Sequence, residues 1–460
     1  MPQLGEAVFA PPPKSSNEKG DDPKKSVTIR CALFFDGTLN NRVNVNARKT
    51  NSEAYQATKS LWHRATGWGS DKGDGSYENE ESNIARMEPH IEDSDGFDLT
   101  LKVYTEGAGT FDEEADSKRG AGLGMGESGV KSKVEKGIID AVRQIKEAHN
   151  PDQFVIKQLT FDLFGFSRGA ASARYCIHCL LMDESRPIKR RLEVLGFEVE
   201  QVTVQFVGLY DTVSSYGLPS FYKNNTATLK LDAIRHAEKV IQLAAADEHR
   251  KNFSLTNIES AGGKGEQYFL PGAHSDVGGG YVDGAPEEQV IFKGLRQDAI
   301  AEREKWIEDG WYKEEEISDV SAPVGLQQSI YRGFGQSVHI GAAQSLQETL
   351  RVHRRAISNA YSLIPLKVMI RFAEESGLSV DGRIVSRSSR RITGDLIELE
   401  KEIDTHIASA GNSSSARFWH RNTSLFRRVR NMYLHVSSQY SLGMRPRFTR
   451  GKRYRKQYDG

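Results

Sequence analysis

The sequence predicts an α/β fold: a mainly parallel sheet with helices on both faces, followed by a mostly helical C-terminal cap or second domain. Three observations carry this. Apolar β-runs alternate with helical patterns from residue 27 to about 285, and one run passes through a glycine-bounded serine into a small-residue helix. Beyond about Gly284 the strand signals thin out.

Taken in order, residues 1–25 hold Pro11-Pro12-Pro13 and polar residues, too little apolar surface to order a core, and are expected to form a disordered tail. Val27 to Phe35 is a β-rich run closed by the turn residues Asp36-Gly37-Thr38. Similar runs lie at Leu99–Tyr104, Phe154–Phe164, Val202–Tyr210 and Tyr268–Leu270. Val130–Ala148 has helical periodicity, and Leu231, Ile234, Val240, Ile241 and Ala244 also keep the spacing of one helical face. Seven glycines within residues 107–129 predict a long mobile loop. These elements divide the chain into a tail (1–25), a catalytic core (26–285) and a mostly helical region (286–460), within which Ala285–Glu316 is charged and Ile364–Ala373 apolar and periodic.

Composition narrows the function. Among 460 residues, 62 lysines and arginines balance 62 aspartates and glutamates, which argues against wholesale nucleic-acid binding. The balance hides a gradient: residues 71–100 carry ten acids and two bases, residues 411–460 twelve bases and one acid. That basic end is expected to be a solvated face with some buried aromatics; a second expectation is that Arg447, Arg450, Arg453 and Arg455 hold the chain on an anionic membrane. No apolar stretch is long enough to span a bilayer. Three cysteines are too few for a disulfide framework, which fits folding in a reducing cytoplasm, and the N-terminus lacks a secretory signal pattern. Cys176-Ile177-His178-Cys179 has no second ligand pair and reads as helix core, with no metal expected.

The chemistry centres on Gly165-Phe166-Ser167-Arg168-Gly169. A strand before it and a helix after it are the context of the nucleophile elbow of α/β-hydrolases, where glycines permit a cramped turn that holds a serine hydroxyl at the sheet's edge. A serine needs a base and an acid, which in this fold follow it as acid, then histidine. Asp211 ends a β-run 44 residues later and is the best acid; a turn-capping role beside Thr212 is its bland alternative. His274, a further 63 residues on in a glycine-rich loop, is the best base, with His353 and His435 as later alternatives; His178 would point away from the edge. The oxyanion hole should use the backbone N–H of Arg168 and one from the Asp36–Asn41 loop, with Gly37 the candidate. The Asp36-Gly37-Thr38 run echoes haloacid-dehalogenase-like phosphatases, but Phe34 occupies the position of their nucleophilic aspartate, so that magnesium chemistry cannot run here.

The order Phe35-Asp-Gly-Thr-Leu-Asn-Asn41, Tyr104-Thr-Glu-Gly-Ala-Gly-Thr110, Gly165-Phe-Ser-Arg-Gly-Ala-Ala171, Gly208-Leu-Tyr-Asp-Thr-Val213, Ala246-Asp-Glu-His-Arg250 and Pro271-Gly-Ala-His-Ser-Asp-Val-Gly-Gly-Gly-Tyr281 resembles the type VI secretion phospholipase effectors. The resemblance covers roughly residues 27–285, extending toward the helix before Gly377. It implies Ser167 as nucleophile, Asp211 as acid and His274 as base, acting on acyl esters of membrane glycerophospholipids without a cofactor. It further implies an antibacterial toxin made in the bacterial cytoplasm, exported without a signal peptide through a spike or tube component, acting in a target cell's periplasm and countered by an immunity protein. The alternatives are an intracellular serine esterase on a small soluble ester, or a non-catalytic docking protein on a hydrolase fold.

Overall fold

In the computed structural model, the described residues are 23–66, 75–117, 125–215, 225–322, 347–387, 391–410, 414–440, 444–449 and 451–460. The expected tail, apart from its last residues, and the tip of the glycine-rich loop lie outside them.

Six strands form the central sheet: β1 (Lys25–Phe35), β2 (Leu99–Thr105), β3 (Phe154–Phe166), β4 (Glu198–Tyr210), β5 (Ala237–Ala245) and β6 (Gly265–Leu270). Their order is β2-β1-β3-β4-β5-β6, with every pair parallel. Alternation along the strands sets the layers. Ile29, Cys31, Leu33 and Phe35 face one apolar cluster with helices α1 (Val130–Ala148) and α2 (Arg168–Ile177), while Ala32 and Phe34 face the other. In α1, Val130, Val134, Ile138, Ala141 and Ile145 are buried at helical spacing, as the periodicity predicts. Both faces are therefore covered, the arrangement a parallel sheet requires.

The run around Leu231–Ala244 departs from expectation. Only Leu231–His236 is helical, as a short 3-10 turn, and the rest is strand β5. Val240 through Ala245 are all buried, because a central strand covered on both faces shows no alternation. The expected loop between Gly107 and Gly129 is pinned in its described parts, with Gly109 N–H donating to Ser128 O and Ser117 N–H to Gly109 O.

After residue 285, β7 (Ala285–Leu295), β8 (Ile317–Ala322) and β9 (Gln347–Ile357) form a three-stranded antiparallel sheet, so the region is less uniformly helical than expected. The helices are α3 (Arg296–Glu308), α4 (Leu363–Glu375), α5 (Asp395–Ala410) and α6 (Ser424–Tyr433), among shorter turns. Helix α4 covers the second face of the main sheet; Met369 packs so closely on β4 that a Cβ at Gly208 would lie 2.7 Å from its sulfur. Residues Gln457–Tyr458 add a short parallel pairing to Leu255–Thr256, which lays the basic tail along the sheet's carboxyl edge.

Candidate active site

Parallel pairing decides where the site forms. Phe35 pairs with Thr105 and Gly165, Phe166 with Tyr210, Tyr210 with Leu243, and Ala245 with Leu270. The loops opening with Asp36, Ser167, Asp211 and Ala246, and the loop after Leu270, thus leave one edge of the sheet. β1 sends its successor to one side and β3 lies on the other, so this edge holds a topological switch point.

Ser167 caps α2 with φ 58° and ψ −121°, a strained conformation for a residue with a side chain, held by Ser167 N–H to Tyr210 O and Val213 N–H to Ser167 O. The flanking glycines are dictated by space. A Cβ at Gly165 would lie 2.3 Å from Gly169 O, and one at Gly169 only 2.1 Å from Phe35 O. No larger residue fits this crossing of strand, turn and helix.

Asp211 is fully buried at the end of β4, its N–H donating to Leu243 O. Its Oδ1 accepts from Ala245 N–H at 2.8 Å, and its Oδ2 lies 2.5 Å from His274 Nδ1. His274 begins a short helix after β6 and sits between the Phe166 and Phe253 rings, with centroids 4.6 and 5.0 Å away. Its backbone N–H approaches Glu248 Oε2 at 3.4 Å. Burial pushes the His274 imidazole below its ordinary range even though Asp211 pulls the other way. A neutral ring that donates from Nδ1 to Asp211 keeps Nε2 as an acceptor. Burial works to raise Asp211, but Arg455 and His274 overcome it and hold the carboxylate below the usual range.

Ser167, Arg168 and His274 line one cavity of about 450 Å³ together with Leu39, Phe166, Val213 and Phe253. The Gly37 N–H is committed to Asp36 Oδ1 at 2.7 Å, so the expected second oxyanion donor is spent within its own loop. Thr38, the next residue, lines the cavity. Asp36 is itself buried, accepts from Ser82 Oγ and Tyr104 OH, and is pushed by burial to about 6. It anchors the loop beneath the serine.

The family model described as the catalytic domain of Tle1-like type VI secretion phospholipase effectors matches residues 183–302, the stretch holding Asp211 and His274. Over those residues the chain is similar to the Tle1-like catalytic domain. A solved structure of the Tle1 effector bound to the VgrG spike of the type 6 secretion system shares the fold, at TM-score 0.58 and 21% identity, over 93% of this chain and 89% of that one. An uncharacterized protein from Pseudomonas aeruginosa aligns at TM-score 0.40 and 17% identity, over 88% of this chain and 56% of the other. No curated protein matches significantly.

The other sequence candidates lie elsewhere. His353 is half exposed beside Glu288, and His178 ends the elbow helix. His435 is buried against Asp276 at 2.7 Å and stacked on Tyr281. Cys31, Cys176 and Cys179 are buried free thiols.

The basic tail corrects an expectation. The Arg453 and Arg455 side chains are largely covered, at 9% and 7% exposure, rather than turned toward a membrane, and Arg447 donates to Lys251 O; Arg450 lies outside the described residues. Arg455 grips Asp211 with both terminal nitrogens, Nη1 to Oδ1 at 2.5 Å and Nη2 to Oδ2 at 2.9 Å. No local signal marks this contact, since its partners are 244 residues apart. The run Ala246–Arg250 also supplies Glu248, to which the sequence pattern assigns no role. Glu248 is buried, pairs with Arg250 and accepts from Ser437 Oγ, and Arg250 together with Arg455 holds its carboxylate far below the usual range despite burial.

Proposed function

We propose that the chain is a serine hydrolase that cleaves acyl esters of membrane glycerophospholipids through Ser167, His274 and Asp211. The observation that carries the reading is the strained Ser167 sharing a cavity with His274, whose Nδ1 is bonded to a buried, anionic Asp211. His274 Nε2 takes the Ser167 proton as Oγ attacks the acyl carbonyl, and Asp211 stabilises the imidazolium that forms. The tetrahedral oxyanion is received by the Arg168 N–H, at a helix start where no intrahelical carbonyl can claim it, and by the N–H of Thr38 in place of Gly37. The proton then passes to the leaving alcohol, and water activated by His274 releases the fatty acid. Leu39, Phe166, Val213 and Phe253 give the cavity an apolar wall suited to an acyl chain. The similarity of residues 183–302 to the phospholipase effector model favours a lipid ester over a small soluble one. It also supports export on a type VI spike, as the related effector is seen bound to one, action in a rival cell's periplasm, and an immunity protein as antagonist. Among the described residues no helix is long and apolar enough to cross a membrane.

The test is purified protein and Ser167→Ala incubated with mixed phosphatidylethanolamine and phosphatidylglycerol vesicles, with fatty acids and lysolipids identified by mass spectrometry. Release by the wild type alone is expected. Hydrolysis of small esters without release from vesicles would overturn the lipid assignment and leave the hydrolase chemistry standing.

A further inference from the structure

The acid of the proposed triad is held by more than a histidine. Asp211 has no exposed surface, and two of the four groups donating to its oxygens come from a single side chain at the far end of the sequence. That side chain, Arg455, is fully employed: Nε donates to Phe253 O at 2.8 Å and Nη1 also reaches Ala245 O at 3.3 Å. Its backbone is fixed by the tail's pairing with the loop after β5, through Leu255 N–H to Lys456 O, Asn257 N–H to Tyr458 O and Arg447 N–H to His249 O. The guanidinium is therefore locked in one plane, in the fork geometry that suits a carboxylate.

We infer that Arg455 is a positioning residue of the catalytic assembly, which fixes the plane of the Asp211 carboxylate toward His274 and sets the pH at which the aspartate–histidine pair takes up a proton. The inference rests on the triad reading above. Arg455 does not line the cavity, so it acts through Asp211 and not on substrate. The charged groups facing the pair are Arg455 from the tail and Glu248 and Arg250 from the loop after β5, and Glu248 and Arg250 largely neutralise each other at 2.7 Å. Arg455 is thus the cation left to balance Asp211. Removing it makes the pair more basic whichever partner carries the proton, since the two titrate together.

The experiment is the pH dependence of kcat and kcat/KM on p-nitrophenyl butyrate for the full-length wild type, Arg455→Gln and Arg455→Lys, with circular dichroism to verify folding. Arg455→Gln should move the acid limb upward by about one unit, as loss of a neighbouring opposite charge does. It should also lower kcat about 100-fold with KM unchanged, as a misplaced catalytic group does. Arg455→Lys keeps the charge and loses the fork, so the limb stays in place while kcat falls. A folded Arg455→Gln whose limb does not move would reduce Arg455 to a packing strut and overturn the inference. If Arg455→Gln does not fold, wild-type kcat in Arg455→Lys would overturn it alone. A wild type inactive on every ester would instead sink the triad reading, and this inference with it.

Discussion

Replacing Asp211 with asparagine perturbs the most constrained atoms of the site. The carboxylate accepts four hydrogen bonds, from Ala245 N–H, His274 Nδ1 and both terminal nitrogens of Arg455, and offers no donor. An amide must aim its NH2 at one of these donors and leaves the buried Arg455 without a counter-ion. Breaking a buried ion pair by removing one partner costs about 3–5 kcal/mol, and the loss of stability in urea should fall in that range. Catalysis should suffer more than folding, because the wrong tautomer of His274 is favoured, and kcat should drop by about 10⁴. The pH dependence supplies an internal check. Asp211 titrates below its ordinary value in the folded chain, so its stabilisation is complete above about pH 4 and is lost as the pH falls through the native value. Wild-type stability should therefore fall more steeply below pH 4 than that of Asp211→Asn. Equilibrium urea unfolding at several pH values, alongside turnover of a soluble ester, measures all three. A variant within 1 kcal/mol and tenfold of wild type would refute the reasoning.

Three further outcomes are expected. Because His274 is held below its ordinary value, kcat/KM should be on its plateau at pH 7 and fall only with a midpoint below about 6.5; a midpoint above 7 in the pH–rate profile would contradict this. Gly169→Ala places a Cβ 2.1 Å from Phe35 O and should destabilise by about 3 kcal/mol, whereas Gly263→Ala meets nothing within 4 Å and should stay within about 0.5 kcal/mol in thermal unfolding. His435→Asn should keep kcat within about tenfold, while His274→Asn loses about 10⁴ or more; the reverse order would exchange their roles.

What could be read from the sequence follows from how local each signal is. Five of the six central strands and helix α1 announce themselves through short apolar runs or helical spacing, and the elbow through two glycines whose necessity the crowded contacts explain. β5 was hidden because full burial on both faces erases the alternation that would distinguish a strand from a helix. β7 was hidden for the opposite reason: its charged residues Glu287 and Glu288 sit on a strand only partly covered, and Glu287 is neutralised by Arg354, a partner 67 residues away. Arg455 is the plainest case. In a stretch with twelve bases and one acid, nothing near it tells a solvated arginine from one buried against a carboxylate. The Gly37 donor failed on a one-residue detail, the capture of its N–H by the preceding aspartate.

The central claim is that Ser167 is an activated nucleophile, and a fluorophosphonate probe tests it most directly because it bonds only to a serine whose proton is being withdrawn. Peptide mass mapping should find a single adduct on Ser167 in the wild type and none in His274→Ala under the same conditions. An adduct on a different serine, or unlabelled protein that nonetheless hydrolyses esters, would contradict the account.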